Sequence, residues 1–474
     1  MSEKNILVWF RKDLRIHDNE ILLEAVRRSK FVVPVYCFDP RQFETTIYQT
    51  KKTGEIRAKF LIDSIIDLKC SLQKLGGDLI VKIGKPEDIL PELVTKYQVS
   101  EVYHHREVAS EETRVSADVE TVLWRLKINL KHFIGHTLYH KEDLPFPIKD
   151  IPDVFTSFRK KIERDSNVRP CFETPSQIQV PPEMESGTIP ELKDLGYSFV
   201  PQQDERGVMQ FLGGETEGLK RMYYYFWDSD GIKSYKQTRN GMIGADYSSK
   251  FSPWLSLGCL SSREVYWEVK KYEKERVAND STYWLCFELL WRDYFRFMFK
   301  KHGNKFFQKA GFKGVAPEET ENQQELFEHW KNATTGIPFI DANMRELNAT
   351  GFMSNRGRQN VASFLVKDLK VNWLWGAAYF EEKLIDYCPA SDWGNWAYVA
   401  GVGNDPREFR HFNILKQANE YDPLGEYVRL WLPELSELKA EQIHQPWKLS
   451  TSELKALHVD LGNSYPKPII ELVR

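Results

Sequence analysis

The chain has no C-x-x-C pair and no H-E-x-x-H, and its six cysteines (Cys37, Cys70, Cys171, Cys259, Cys286, Cys388) lie far apart. Zinc, an iron–sulfur cluster and a disulfide framework are thereby disfavoured, and no metal is expected. Long apolar runs are missing too: segments such as 31–38 fall far short of a membrane span, so no membrane contact is expected. The opening Met1-Ser-Glu-Lys has no apolar stretch behind a basic head, so no secretory leader is read and a cytoplasmic location is expected. Nor is there a large excess of charge. A net charge of −3 makes the whole protein no electrostatic trap for nucleic acid, and any such site must be a local basic patch. The turn after the first apolar run, Phe10-Arg-Lys-Asp-Leu-Arg15, lacks a glycine fingerprint, which disfavours a dinucleotide-binding Rossmann domain.

What is present is length and aromaticity. At 474 residues the chain is too long for one ordinary core, and two or three domains are the prior. Fourteen Trp, 21 Tyr and 28 Phe make up 13% of it, enough to fill a large helical core. Stretches 6–10, 32–38, 79–83, 102–105 and 130–134 read as strands, alternating with helical stretches 19–29, 58–75, 86–97 and 110–126. That alternation predicts an α/β domain over 1–134 with a parallel sheet. Residues 135–205 carry many of the prolines and little periodicity, and read as a connector over the surface with one short helix near 154–163. From 206 to 435 nearly everything reads as helix (214–229, 261–274, 282–302, 323–332, 338–349, 357–368, 375–384), an all-α domain; 436–474 is a short appendage.

Four segments could carry chemistry. In Tyr247-Ser-Ser-Lys-Phe-Ser252-Pro253, Ser252 and Pro253 read as the N-cap and first turn of a helix. Its amides, with Ser248, Ser249, Ser252 and Lys250, would suit a pyrophosphate. An ordinary capped helix accounts for the same residues. In 282–302, Glu288, Trp291 and Arg292 share one helix face. A carboxylate in such apolar company needs a raised pKa or a partner. Glu288 could pair with Arg292, or it could bond the polar edge of a base stacked on Trp291. The third segment, Asn355-Arg-Gly-Arg358-Gln359, brings two arginines and two amides to a helix start, where Arg356 and Arg358 point apart. In the fourth, Asp386, Asp392, Trp393, Trp396 and Tyr398 lie in a stretch that Pro389 and Gly394 should break, giving an irregular cavity wall. Core packing explains each tryptophan taken alone.

Together, in this order, the segments resemble the photolyase/cryptochrome family, from Val8-Trp-Phe-Arg-Lys-Asp-Leu-Arg to Trp431-Leu-Pro-Glu-Leu435. Tyr235-Lys-Gln-Thr-Arg-Asn-Gly, Gly351-Phe-Met-Ser-Asn-Arg-Gly-Arg-Gln-Asn and Tyr398-Val-Ala-Gly-Val-Gly-Asn-Asp-Pro-Arg407 look like its DASH cryptochromes. The resemblance implies FAD in the helical domain and an antenna near the α/β domain, a folate such as methenyltetrahydrofolate. It places Tyr235 and the turn Ser248, Ser249, Lys250, Phe251, Ser252 at the FAD phosphates and ribityl chain. Asn355, Arg358 and Asp386 should line the flavin, with Arg358 and Asp386 salt-bridged. Glu288, Trp291, Gln359, Trp396 and Tyr398 should line a pocket for a flipped dimer. Arg239 and Arg356, with Arg292 beside the pocket, should meet the nucleic-acid strand. Glu107 is the expected antenna ligand.

The implied activity is blue-light-driven repair of cyclobutane pyrimidine dimers, preferentially in single-stranded DNA, by a monomer; RNA is a further partner to consider. The alternative is a blue-light photoreceptor with little repair. Three positions depart from the DASH pattern. Asp392 stands where Asn is usual, facing the flavin nitrogen that takes a proton on reduction. Cys388 replaces an Asp. In the family's relay of three tryptophans, Trp396 and Trp373 match the inner pair, 23 residues apart, but the outer position falls at Thr320. Trp375 is the nearby substitute for the exit.

Overall fold

The computed structural model describes residues 4–407 and 410–472. The first three residues of the stretch read for a leader, and the last two of the appendage, lie outside it. Five strands form one wholly parallel sheet in the order β3-β2-β1-β4-β5. They are β1 (Asn5–Phe10), β2 (Phe31–Phe38), β3 (Ile80–Ile83), β4 (Val99–His105) and β5 (Asn129–Phe133). The crossovers are α1 (Glu20–Arg28), α2 (Glu55–Lys74), α3 (Pro86–Lys96) and α4 (Ser110–Arg125). Ile6, Leu7 and Val8 are all fully buried, so both faces of β1 need a helical cover, which only crossovers on both sides supply. Asn19 starts α1 by accepting the Leu22 amide at 3.3 Å. β4 begins three residues before the expected 102, since polar Glu101 is partnered within the sheet: Tyr103 and Lys131 both donate to its carboxylate at 2.8 Å.

The connector covers an otherwise open edge. The Val81 amide of β3 donates to Ser186 O, and that of Val32 to Gln179 O, each at 2.8 Å. Its helix, α5 (Phe155–Asp165), packs against the helical part through Phe155 and Phe158. That part comprises α6 (Glu215–Tyr223), α7 (Tyr235–Thr238), α8 (Ser252–Leu257), α9 (Ser262–Glu275) and α10 (Asp280–His302). It continues with α11 (Gln323–Lys331), α12 (Pro338–Thr350), α13 (Asn355–Ser363), α14 (Trp373–Lys383) and α15 (Pro389–Ala400). Smaller helices follow: α16 (Ile414–Tyr421), α17 (Glu426–Trp431), α18 (Ala440–Ile443) and α19 (Thr451–Ala456).

Two expectations change. Stretches 214–229 and 357–368 each end in a π-helical turn, where the Ser229 and Leu369 amides reach back five residues to Tyr224 O and Phe364 O at 2.9 Å. And 389–400 is one regular helix rather than an irregular wall. Pro389 sits in its first turn, where no amide is needed, and Gly394 is there because a Cβ would collide with the Phe295 ring.

The two parts meet closely. Gly258 has φ +69°, and a Cβ on it would strike the Lys12 carbonyl. Arg15 Nη1 donates to Gly258 O at 2.8 Å, and buried Asp18 pairs with Arg263 at 2.7 Å. The appendage docks on the start of α12, where Tyr465 OH donates to buried Asp341 at 2.7 Å. No helix among the described residues is long and apolar enough to cross a membrane.

Candidate functional site

The turn before α8 differs from a capped start. Ser252 is the first helical residue, Phe251 holds the cap position, and no side chain caps the helix. What the turn does is bury a cation. Lys250, at φ +61°, is 3% exposed. Its Nζ donates to Ser248 Oγ at 2.9 Å and lies 3.0 Å from the Tyr247 ring centroid, yet it has no ion pair among the described residues. Burial, then the Arg221 charge, push its ammonium well below the usual lysine range, against the pull of Glu346 and Asp246. A buried ammonium facing a cavity is a place for an anion.

That cavity has a volume of about 340 Å³. Tyr235, the first residue of α7, and Arg239, just past its end, line it beside Ser248, Ser249, Lys250, Phe251 and Ser252. Glu288 and Arg292 of α10 form a second wall, and Asn355, Arg358 and Gln359 of α13 a third. Asp386, Asp392 and Trp396 close it. Four segments far apart in the chain thus face one space. Arg358 Nη2 donates to Asp386 Oδ2 at 2.9 Å, the pairing expected. Tyr247 OH, Asp386 Oδ1 and Asp392 Oδ2 are buried without hydrogen-bond partners among the described residues. Unsatisfied polar atoms around a cavity fit a polar ligand that supplies the missing bonds. Burial, then the neighbouring Glu381, drive the Asp392 carboxyl well above the usual range despite Arg358.

Glu288 is partnered, but not by Arg292. Arg239 Nη1 binds its Oε1, and Trp284 Nε1 donates to the same oxygen at 3.1 Å. Burial nevertheless raises its pKa, with Arg239 and Trp284 opposing. Arg292 is occupied by His136 O, Ser262 Oγ and Leu255 O, which ties it to the cavity wall in place of the strand contact expected of it. Trp291 lies outside the cavity lining. One face of its indole stacks on Phe155 (3.7 Å, 13°), so at most one face is open to a base, and Tyr398 stands edge-on at 6.0 Å. Arg356 is also outside. Its guanidinium is held by the side-chain oxygens of Gln359, Gln417 and Asn240 at 3.0–3.2 Å and lies over Tyr421, and it has no direct ion pair among the described residues.

Trp396 touches Phe380 (5.1 Å) and fully buried Trp330 (6.2 Å). Trp330 stacks on Phe327 (5.9 Å), which meets half-buried Trp375 at 5.5 Å. Trp373 makes its indole contact with Trp393 (6.0 Å) and not with Trp396, and its Nε1 donates to Lys309 O. The sequence reading missed Trp330, and also Phe352, Phe380 and Tyr387, which line the cavity. Apolar residues at helical spacing carry no signal that separates a cavity wall from core.

With this geometry in place, comparison with known proteins is decisive. Residues 6–180 match the family model described as DNA photolyase, and residues 284–474 the FAD binding domain of DNA photolyase. The chain belongs to the photolyase/cryptochrome family. Within it, the chain falls among the DASH cryptochromes. It is 54% identical to cryptochrome DASH of Gloeobacter violaceus over 472 residues, covering 100% of this chain and 94% of that one. The solved cryptochrome of Synechocystis superposes with a TM-score of 0.95 at 52% identity, covering 99% of this chain and 98% of that one. A Sulfolobus tokodaii photolyase, described as holding two FAD molecules and implying a novel light-harvesting cofactor, has a TM-score of 0.78 at 28% identity, covering 99% and 97%.

Two remaining positions depend on one arginine. Arg296 Nη2 donates to Glu107 Oε2 at 2.8 Å, and its Nη1 lies 3.8 Å from Cys388 Sγ at the main cavity. Burial raises the Cys388 thiol pKa, but Arg296, Arg292 and Lys12 outweigh it and pull the thiol below its usual range. Glu107 is not in the main cavity. It borders a second cavity of about 30 Å³ beyond the carboxyl ends of β4 and β5, rimmed by Arg106, Lys141 and Lys300. There burial is overcome by His136, Arg296 and Lys12, which hold the Glu107 carboxyl well below its usual range.

Proposed function

We propose that the chain uses blue light and FAD held in the main cavity to split cyclobutane pyrimidine dimers, chiefly in single-stranded DNA. The observation that carries this is one space with two chemistries. Lys250 offers an uncompensated cation on one side, and Glu288 an acceptor beside indole on another.

Bound there, FAD supplies an electron donor that blue light raises in energy. The chain's residues do the rest by position and charge. Lys250 with Ser248 and Ser252 holds the diphosphate, and Tyr235 the adjoining chain. Asn355 and the Arg358–Asp386 pair orient the ring system, while Asp392 keeps a proton at Oδ2. Glu288 accepts from the polar edge of the flipped dimer, which lies among Trp291, Gln359, Trp396 and Tyr398. Arg239 and Arg356 face the sugar–phosphate strand. Gln359 and the Tyr398 hydroxyl, which accepts from Arg410 at 3.0 Å, make the pocket polar. A polar pocket recovers less from burying the dimer, so it does not offset unpairing a duplex. The second cavity, at the strand ends where α/β sheets bind ligands, takes the edge of a folate antenna, with Glu107 as anchor and the cationic rim for its acidic tail. Asp392 favours a second reading, a photoreceptor, because a proton held beside the cofactor can store the light signal.

Glu288→Gln is expected to weaken binding of a dimer-containing single strand by about 1–3 kcal/mol with undamaged strand unaffected, by fluorescence anisotropy. The direct test is light-driven repair of one dimer in an oligothymidine strand against the same dimer in a duplex. Repair in the single strand alone supports the enzyme. No repair in either, with light-driven reduction of the cofactor intact, moves the reading to the photoreceptor.

A further inference from the structure

We infer that Tyr387 and Glu381 form a proton entry that connects the protein surface with Asp392. This rests on the reading of the main cavity as the FAD site. Asp392 and Tyr387 line the same cavity, and Asp392 Oδ2 has no hydrogen-bond partner among the described residues. Tyr387 OH accepts from Trp393 Nε1 at 3.1 Å. That bond uses a lone pair and leaves the phenolic proton free to point elsewhere. The Glu381 carboxyl, on the last turn of α14, faces this hydroxyl and is itself only half-buried. The Arg57 guanidinium of α2 lies 4.7 Å from the Tyr387 ring centroid, its Nη2 donates to Thr53 Oγ1 at 3.0 Å, and its Nε has no partner among the described residues. The cluster therefore runs from the cavity to the seam between α2, α4 and α14.

The charges around it suit a relay. Glu381 is faced by Arg57, by Tyr387 and by Glu111 and Glu112 of α4, and burial drives its pKa up to about 7. Asp392 is faced by Glu381, Arg358, Asp386 and Arg57, and burial raises its carboxyl well above the usual range. Glu381 is then the group that exchanges with water at neutral pH, and Asp392 the one that holds a proton until the cavity draws it. Burial keeps the Tyr387 phenol far above its usual range, so it passes protons without ionising. The step balances without electrons. Asp392 Oδ2 gives its proton to an acceptor in the cavity and becomes a carboxylate. Tyr387 passes its hydroxyl proton to Asp392 as it takes one from Glu381, and solvent reprotonates Glu381. One proton has crossed from water to the cavity.

The test uses the FAD-loaded protein and two readouts. In the dark, the infrared carbonyl band of protonated carboxyls is followed against pH. A component titrating near 7 is expected in the parent, to which buried Asp293 also contributes, and it is expected to lose amplitude in Glu381→Gln. After a light flash, proton uptake from solvent is followed with a pH-indicator dye. Glu381→Gln and Tyr387→Phe are each expected to slow uptake by about a hundredfold, and Glu381→Asp to restore it. Uptake at the parent rate in both variants overturns the entry route. If Asp392→Asn abolishes uptake while Glu381→Gln leaves it unchanged, only the route fails. If Asp392→Asn leaves uptake intact, the reading of the cavity fails with it.

Discussion

Replacing Trp396 by Phe is expected to reduce light-driven reduction of the cofactor to background, and Trp330→Phe to slow it far more than Trp373→Phe. Among side chains indole gives up an electron most readily, so the route out of the cavity should follow indoles in ring contact. Trp396 lines the cavity and touches Trp330, whose stack on Phe327 ends at half-buried Trp375, where a thiol reductant in solution can refill it. The route through Trp373 ends inside: its indole contact is Trp393, and the outer position is Thr320, whose amide and hydroxyl are engaged with Lys370 O and Asn322. The measurement is the bleaching rate of the cofactor's blue absorption under steady light with a thiol, with thermal melts showing that each variant is folded. Loss of the rate in Trp373→Phe with Trp330→Phe unaffected would restore the route read from residue spacing.

The second large effect concerns Lys250. Its pKa in the ligand-free folded chain lies well below the unfolded value of 10.5. Between the two values the unfolded chain binds more protons, so stability without ligand rises with pH towards 10.5. A diphosphate gives the ammonium its missing anion and raises the pKa again. FAD binding should therefore take up a proton in that window and weaken as pH rises. Lys250→Met removes charged hydrogen bonds worth about 1.5–3 kcal/mol, a loss of about 10- to 150-fold in affinity. It should also abolish the proton uptake, measured by calorimetry in buffers of different ionisation heat. Unchanged affinity and uptake would place the phosphates elsewhere.

Much of the architecture is local and was legible. Strands such as β1 and β2 are runs of apolar and β-branched residues, and α1 is started by its own Asn19, so each element announces itself within a few residues. Partnership was less legible. Glu288 has an arginine four residues away on its own helix, yet takes Arg239, 49 residues away in sequence, because Arg292 is drawn to the carbonyls of the wall behind it. Pro389 and Gly394 read as helix breakers, yet they begin and fill a helix, because the first turn needs no amide and Phe295 leaves no room for a Cβ.

The order of α/β and helical parts, the family, and the four segments that supply the cavity are written in the chain itself. Only packing decided that one face of Trp291 is covered by Phe155, that Trp396 meets Trp330, and that Lys250 is buried without an ion pair among the described residues. The division has a physical reason. Propensity, patterning and capping act within a few residues and are written in order along the chain. Ring contacts, desolvation and charge pairing depend on which distant segments share a volume, and that is settled only when the whole core packs.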